Sequence, residues 1–533
     1  MTAGPEYSGT IPRLLYAAAQ RDPDGIWLRT DQTSLTFSGA VAATAGVARS
    51  LAAAGVRRGD LVVVTTRNTA DYLLCWLGLA ALGAVLVPVN PRSAAAELAG
   101  LVRQTTPRAL VSDSGLAALL DTAGIGGLPA LGVLDVAGLG AGAPHGTAGT
   151  GLPDLGVRPD DLAVLIPTSG TTGRSKLVMQ THRAYAMAGE GFAFWMGLTA
   201  ADRLMTSLPL FHINAPAYSV MGSLACGAGL ILLERFAASG FLDAARRHGA
   251  TEFNAIGAML EILMRQPPRA DDADSPLRLC YTGPAPERSR QEETERRFGF
   301  RIVVGYGMSE SPYGLIWPRG TRPFGTLGAV RQHPALGLVN EARVISADGR
   351  ELGPGETGEL LLRNPVVTPG YWGMPEETAR AITDGWLHTG DLVTVGSDGT
   401  TYTFAGRLKE MLRRRGENLS PLEVEEVLTG HPAVLECAVV GVPSELSEDE
   451  VKAFIVPADA VGSLDFRQLI QFAAARLAAF KVPRYWQLID GLPRTPTARV
   501  AKHRLPAGHQ PGEYDAGASQ PPPGSQPGRE DQL

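Results

Sequence analysis

Apolar and polar positions change their period several times along this chain. Between residues 10 and 90, Ile11–Ala19 and Ser38–Ala54 place apolar side chains at helical spacing, whereas Leu61–Thr66 and Val85–Val89 are short β-rich runs. Such alternation predicts a largely parallel α/β sheet. Leu73–Val89 carries no charge. It is slightly short for a membrane span of about 20 residues, and Gly78, Gly83 and Pro88 interrupt it, so it reads as a buried helix running into a buried strand. Leu162–Pro167 predicts another buried strand, entered at Asp161, and His182–Met196 a helix. Residues 204–233 combine an apolar helix of small residues with a further buried run.

From residue 341 the pattern changes. Ala342–Ser346 and Gly358–Arg363 read as strands separated by Asp348-Gly349 and Pro354-Gly355 turns, an antiparallel arrangement. A tight polar segment at Gly406–Gly416 leads into a short αβ module that ends near Leu505. Residues 506–533 are rich in Pro, Gly, Gln and Ser and predict a disordered tail. At 533 residues the chain exceeds a single folding unit, because one core stops growing near roughly 250–300 residues.

Composition narrows the function classes. A net charge of −6 gives no basic field, which argues against a nucleic-acid partner. Cys75, Cys226, Cys280 and Cys437 are far apart and form no C-x-x-C pair, so they read as reduced core thiols of a cytoplasmic protein. Met1–Ser8 has no secretory character. The expectation is a soluble protein without a membrane partner.

The chemistry concentrates in Thr168-Ser169-Gly170-Thr171-Thr172-Gly173-Arg174-Ser175-Lys176, directly after the apolar strand. Glycines let backbone N–H groups turn toward a ligand, hydroxyls donate hydrogen bonds, and the cations neutralise charge. That is equipment for phosphate oxygens. It is not the common P-loop, because Lys176 lies between Ser175 and Leu177.

This loop resembles the T-S-G-T-T-G-x-P-K-G signature of the adenylate-forming superfamily, which includes acyl-CoA ligases, firefly luciferase and peptide-synthetase adenylation domains. The match departs at Ser175, in place of Pro, and at Leu177, in place of Gly. The resemblance extends from about residue 10 to 505. It implies a large multi-subdomain N-terminal domain, residues 1–405, with parallel-rich α/β sheets and a small β-barrel. A small mobile α+β domain would follow at 406–505. It also implies ATP or an acyl-AMP, Mg²⁺ and coenzyme A as cofactors, and a carboxylic acid or its adenylate as substrate.

Tyr306-Gly307-Met308-Ser309-Glu310, after Gly305, matches the family's Y-G-x-T-E. The resemblance assigns Tyr306 to adenine stacking, Ser309 to the α-phosphate and Glu310 to magnesium. Gly385-Trp386-Leu387-His388-Thr389-Gly390-Asp391 matches W-x-x-T-G-D and gives Asp391 the ribose hydroxyls, with Arg407 as a second contact. Gly283-Pro284-Ala285-Pro286 falls on the adenine-pocket loop. In Phe211-His212-Ile213-Asn214, His212 would close over the acyl carboxylate. Asn214, Ala258, Gly283 and Met308 would line the substrate side. Small residues at Ala215, Ala217, Gly257 and Ala258 hint at room for a bulky acyl group. No Asp stands where amino-acid-activating domains hold an amine, which implies a plain carboxylic acid.

Lys409 occupies the family's hinge. Arg413, Arg414, Arg415, Gly416 and Glu417 match the loop that admits CoA, with Gly416 leaving space for pantetheine. Near the end the family reads P-x-T-x-x-G-K. Here Pro493-Arg494-Thr495-Pro496-Thr497-Ala498-Arg499 puts Arg499 where the adenylation lysine belongs, three residues before Lys502. Lysine is a compact point charge and arginine a broad fork. Leu177 adds a second concern, because a Gly there could provide a positive φ. The expectation is strong thioester formation with weak adenylation, fed by a separate adenylating enzyme. An ordinary two-step synthetase, a stand-alone adenylase loading a carrier protein, and a non-catalytic adenylate-binding protein are the alternatives. Within the superfamily the resemblance is to carnitine/crotonobetaine- and medium-chain-type ligases, with an expected role in secondary metabolism such as a platensimycin-type diterpenoid pathway.

Overall fold

The computed structural model describes residues 9–116, 120, 121, 123–125, 131–140, 156–168, 175–283, 285–414, 417–443, 449–458, 464–495, 500–506 and 508–517. The chain divides into two compact units. The first comprises Met1–Glu356, Leu360–Thr389 and Val395–Thr403, and the second Thr357–Glu359, Gly390–Thr394 and Phe404–Leu533.

The first unit contains two twisted sheets. One has six strands in the order Val133–Asp135, Ala109–Ser112, Leu61–Thr65, Val85–Pro88, Leu162–Thr168 and Lys176–Thr181. Its register is parallel until the last pair, where Thr168 lies opposite Lys176 in an antiparallel ladder. The other has nine strands. Six of them, Arg301–Met308, Leu279–Thr282, Glu252–Asn254, Arg203–Thr206, Gly229–Leu232 and Ile26–Arg29, run parallel. Antiparallel strands flank them on both sides.

Local chemistry sets the helices between the strands. Thr69 caps Ala70–Leu82 by accepting from Tyr72 N at 3.2 Å, and Gly83 stops it at φ 72°. From Tyr72 to Leu82 every residue of this helix is buried, and the strand Val85–Pro88 follows. The uncharged run is therefore core, as its interruptions predict, and no helix among the described residues is long and apolar enough to cross a membrane. Thr181 and Gly197 bound the helix His182–Met196 in the same way.

The second unit packs the helices Pro421–Thr429 and Phe466–Ala474 on a four-stranded sheet. The strand order is Val434–Pro443, Asp449–Pro457, Tyr485–Leu488 and Tyr514–Asp515. The last strand corrects the expectation of a featureless tail beginning at residue 506. Tyr514 and Asp515 pair with Trp486 and Tyr485. Arg484 Nε and Nη2 donate to the two Asp515 oxygens at 3.0 and 3.1 Å. Fully buried Lys452 meets Glu513 Oε2 at 2.7 Å and Gly508 O at 3.1 Å. Edge pairing and charge pairing order a segment whose composition alone is too polar to pack.

All four cysteines are free. Burial pushes the Cys75 thiol up to about 12 and the Cys226 thiol up to about 11, so neither is a nucleophile at neutral pH.

Candidate functional site

In the first unit the phosphate-loop strand and the Y-G-M-S-E hairpin are joined by a connection with no counterpart in the motifs. Thr168 and Lys176 face each other in the ladder, with Thr168 Oγ1 donating to Lys176 O at 3.3 Å. Ser169, Gly170, Thr171, Thr172 and Gly173 lie outside the described residues. Leu177 is a buried strand residue paired with Pro167 and has no positive φ. The concern that it strains the loop is thereby corrected, because extended backbone accepts leucine freely.

Residues 368–372 run beside this strand. Trp372 N donates to Leu177 O at 2.9 Å, and Thr368 Oγ1 to Met179 O at 2.6 Å. Their course brings Tyr371 against Lys176, whose Nζ lies 4.7 Å from the ring centroid and is ion-paired with Glu377. Tyr371 donates to Glu310 Oε1 at 3.0 Å. Burial first, and then the Glu310 charge, hold the Tyr371 phenol well above its ordinary pKa, so it remains a donor. Tyr371 and Glu377 escaped sequence reasoning because neither stands in a motif.

Tyr306 lies near the end of the strand Arg301–Met308, and Ser309-Glu310 form the two-residue turn into Ser311–Ile316. Gln180, fully buried on the phosphate-loop sheet, donates to Ser309 O, and Thr368 N donates to Glu310 O at 2.7 Å. The turn is thus held from two directions, and Met308 Sδ lies 3.8 Å from the Tyr306 hydroxyl. Close approach explains the glycines. A Cβ at Gly283 would sit 2.6 Å from Gly305 O, one at Gly305 2.4 Å from Arg331 Nη2, and one at Gly307 2.5 Å from the Tyr218 hydroxyl. Ala285 is half-buried against the core, and Pro284 lies outside the described residues.

No group of three His, Cys, Asp or Glu residues forms a metal cage among the described residues. A lone carboxylate at Glu310, beside a turn of hydrogen-bonding groups, fits Mg²⁺ that keeps most of its waters and shares phosphate oxygens.

His212 follows a loop stapled by Asn68, whose side chain donates to Leu208 O and accepts from Leu210 N, both at 2.8 Å. The Phe211 and His212 rings lie 4.6 Å apart. Asn214 opens a π-helix, Ala215–Val220, a conformation frequent at functional sites. Its Oδ1 accepts from Asn254 Nδ2 at 2.7 Å, and Asn254 ends a central parallel strand. Ala215 and Ala217 are fully buried core residues, so they open no acyl space, which corrects that expectation. Gly257 faces open space, with nothing within 4 Å of a built Cβ. The Ala258 side chain is outside the described set.

In the second unit, Asp391 is nearly buried and its Oδ1 lies 2.9 Å from Arg407 Nε. Gly406, before Arg407, holds φ 133° with Ser420 Oγ 2.6 Å from a built Cβ, so the approach to Arg407 requires glycine. Backbone at Lys409 forms a short 3-10 turn with Leu408 and Glu410. Arg413 and Glu417 belong to a small antiparallel hairpin in which Arg413 lies opposite Asn418 and Arg414 opposite Glu417, while Arg415 and Gly416 fall outside the described residues. Arg414 is no exposed arginine for CoA. Its guanidinium is buried against Glu450 at 2.7 Å and donates to Phe480 O and Val482 O at 2.9 and 2.8 Å.

Arg499 also lies outside the described residues, but its flanks are placed: Arg494 and Val500 form an antiparallel bridge. Lys502 is held by Glu425 at 2.8 Å and Glu410 at 3.2 Å. Burial opposes its charge, and the two carboxylates outweigh that, keeping its pKa above the ordinary value.

Residues 15–372 match the AMP-binding enzyme family, and residues 423–499 match the AMP-binding enzyme C-terminal domain. Crotonobetaine/carnitine–CoA ligase of Salmonella arizonae is 31% identical over 468 residues, 85% of this chain and 89% of that protein. ATP-bound MatB from Rhodopseudomonas palustris superposes with a TM-score of 0.82 at 27% identity, covering 93% of this chain and 98% of that one. The o-succinylbenzoate–CoA synthetase of Bacillus subtilis, in complex with its acyl-adenylate, gives 0.80 at 27% identity over 94% and 99%.

Proposed function

Since the chain belongs to the AMP-binding enzyme family of adenylate-forming acid–CoA ligases, we propose that its thioester-forming half-reaction outruns its own adenylation. The substrate in this reading is a carboxylic acid without a recognised amine, or its adenylate made by a separate enzyme. The observation that carries the reading is Arg499 at the adenylation lysine's place, while Lys502 is already engaged by Glu425 and Glu410. A planar guanidinium serves poorly where one ammonium tip must touch both carboxylate and α-phosphate, and losing one aimed donor costs about 10²–10³ in rate.

The remaining residues divide by role. Tyr306 takes the adenine face, Asp391 and Arg407 the ribose, and Lys176 with Thr168 the phosphates. Glu310, oriented by Tyr371, would hold Mg²⁺, which when bound neutralises phosphate charge. His212 covers the acyl carboxylate, and Gly416 admits the pantetheine thiol. Lys409 is the pivot between half-reactions. Supplying either acid, ATP and CoA, or preformed acyl-adenylate and CoA, and weighing acyl-CoA by mass spectrometry tests the reading. Product is expected at a much higher rate from the second mixture. Equal rates would identify an ordinary two-step synthetase.

A further inference from the structure

We propose that Arg331 is an electrostatic positioning residue, a buried cation beneath the Tyr306–Glu310 hairpin that favours anionic ligands over neutral ones. This rests on the reading that the nucleotide lies against that hairpin.

Arg331 is fully buried. Its Nε donates to Leu315 O at 2.7 Å, Nη1 to the Tyr218 hydroxyl at 3.3 Å and to Pro312 O at 3.4 Å, and Nη2 to the Tyr281 hydroxyl. The rings of Trp195, Tyr218 and Tyr281 surround it, with centroids 5.2, 5.3 and 5.5 Å away. Among the described residues no carboxylate pairs with it. The contrast with other buried cations is direct: Lys452 has Glu513 at 2.7 Å, and Arg414 has Glu450 at 2.7 Å. Glu190, in the same core, is bonded to His333 Nε2 at 3.1 Å instead. Tyr281 supplies no counter-charge either, because burial pushes its phenol well above the usual range.

A buried charge without a counter-charge is costly even when hydrogen-bonded, and an apolar side chain of similar volume would fill the space without that cost. Packing alone therefore gives no reason for a guanidinium. Its location supplies one. A Cβ at Gly305 would touch Nη2, and one at Gly307 the Tyr218 hydroxyl, so the strand bearing Tyr306 rests directly on the cluster. Pro312 O and Leu315 O belong to the return strand of the same hairpin. Arg331 thus braces both strands from the core side while its charge faces the ligand-bearing backbone through a medium that water and salt do not screen. A unit charge about 10 Å from a phosphate, at an effective dielectric near 20, changes affinity by roughly tenfold.

The test separates charge from bracing by comparing AMP with adenosine in calorimetry of the wild type, Arg331→Met, Arg331→Gln and Arg331→Lys. The proposal predicts that the preference for AMP over adenosine falls about tenfold in the Met and Gln variants and stays near wild type in the Lys variant. Gln keeps a donor for Leu315 O and serves if Met prevents folding. Equal losses for AMP and adenosine would reduce Arg331 to a structural tie and overturn the proposal. A wild type that binds neither nucleotide would instead overturn the site itself, and the role of Arg331 with it.

Discussion

Tyr371 donates its phenolic hydroxyl to Glu310 Oε1 across 3.0 Å, and the same ring carries Lys176 Nζ 4.7 Å from its centroid. One side chain from a loop without a motif therefore fixes the candidate magnesium carboxylate and faces the phosphate-loop lysine. Tyr371→Phe keeps the ring and removes only the donor. The Mg²⁺ concentration for half-maximal acid-dependent activity is expected to rise about tenfold, the usual effect of losing a group that orients a ligand. Thioester formation from supplied acyl-adenylate should change far less. A magnesium titration of both reactions checks this.

Asp391, nearly buried and 2.9 Å from Arg407 Nε, is the second unit's proposed ribose acceptor. Asp391→Ala removes the carboxylate proposed to accept the ribose hydroxyls, together with its ion pair to Arg407. A loss of about 10–100-fold in AMP affinity by calorimetry is expected. Asp391→Asn should fall between it and the wild type.

The segment 508–517 covers the edge strand Tyr485–Leu488 and supplies Glu513 to fully buried Lys452. A chain ending after Leu505 would lose the Lys452–Glu513 ion pair and the Tyr514–Asp515 strand pairing, at a cost of about 1.5–3 kcal/mol to the second unit. A chain ending after Gly517 should unfold in urea like the full protein. Matching urea midpoints for the two shortened chains would remove the segment from the fold.

His182 opens a core helix, and burial depresses its pKa from 6.5 to about 4, despite the opposing pull of Asp161. The unfolded chain takes up a proton there below about pH 6.5, and the folded chain only near pH 4. Its contribution is therefore complete above pH 6.5 and is lost as pH falls toward 4. Between pH 7 and 5 the wild type should lose about 2 kcal/mol more unfolding free energy than His182→Gln. Urea titrations at the two pH values measure that difference.

Much of this architecture is legible along the chain because it is local. Thr69 and Gly83, or Thr181 and Gly197, punctuate helices within the sequence window they bound. Motif residues such as Tyr306 and Asp391 stand in readable runs. Tyr371, Asn254 and Arg331 are different. Each acquires meaning from a partner at least 40 positions away, as in Asn254 with Asn214 or Tyr371 with Glu310. Composition misjudged Glu513 and Asp515 for the same reason, since Lys452 and Arg484 that order them lie far upstream. The alanines at 215 and 217 mislead in the opposite direction. Small side chains admit a ligand or a neighbouring element equally well, and here the core takes them.

The central claim, a weak adenylation half beside an efficient thioester half, is tested most directly by pyrophosphate–ATP exchange with the cognate acid. Wild-type exchange should be far slower than thioester formation from preformed acyl-adenylate. Arg499→Lys should raise exchange by at least about tenfold, toward the 10²–10³ that one aimed donor is worth, while leaving the thioester rate unchanged. Wild-type exchange that keeps pace with thioester formation, and does not respond to Arg499→Lys, would contradict the account.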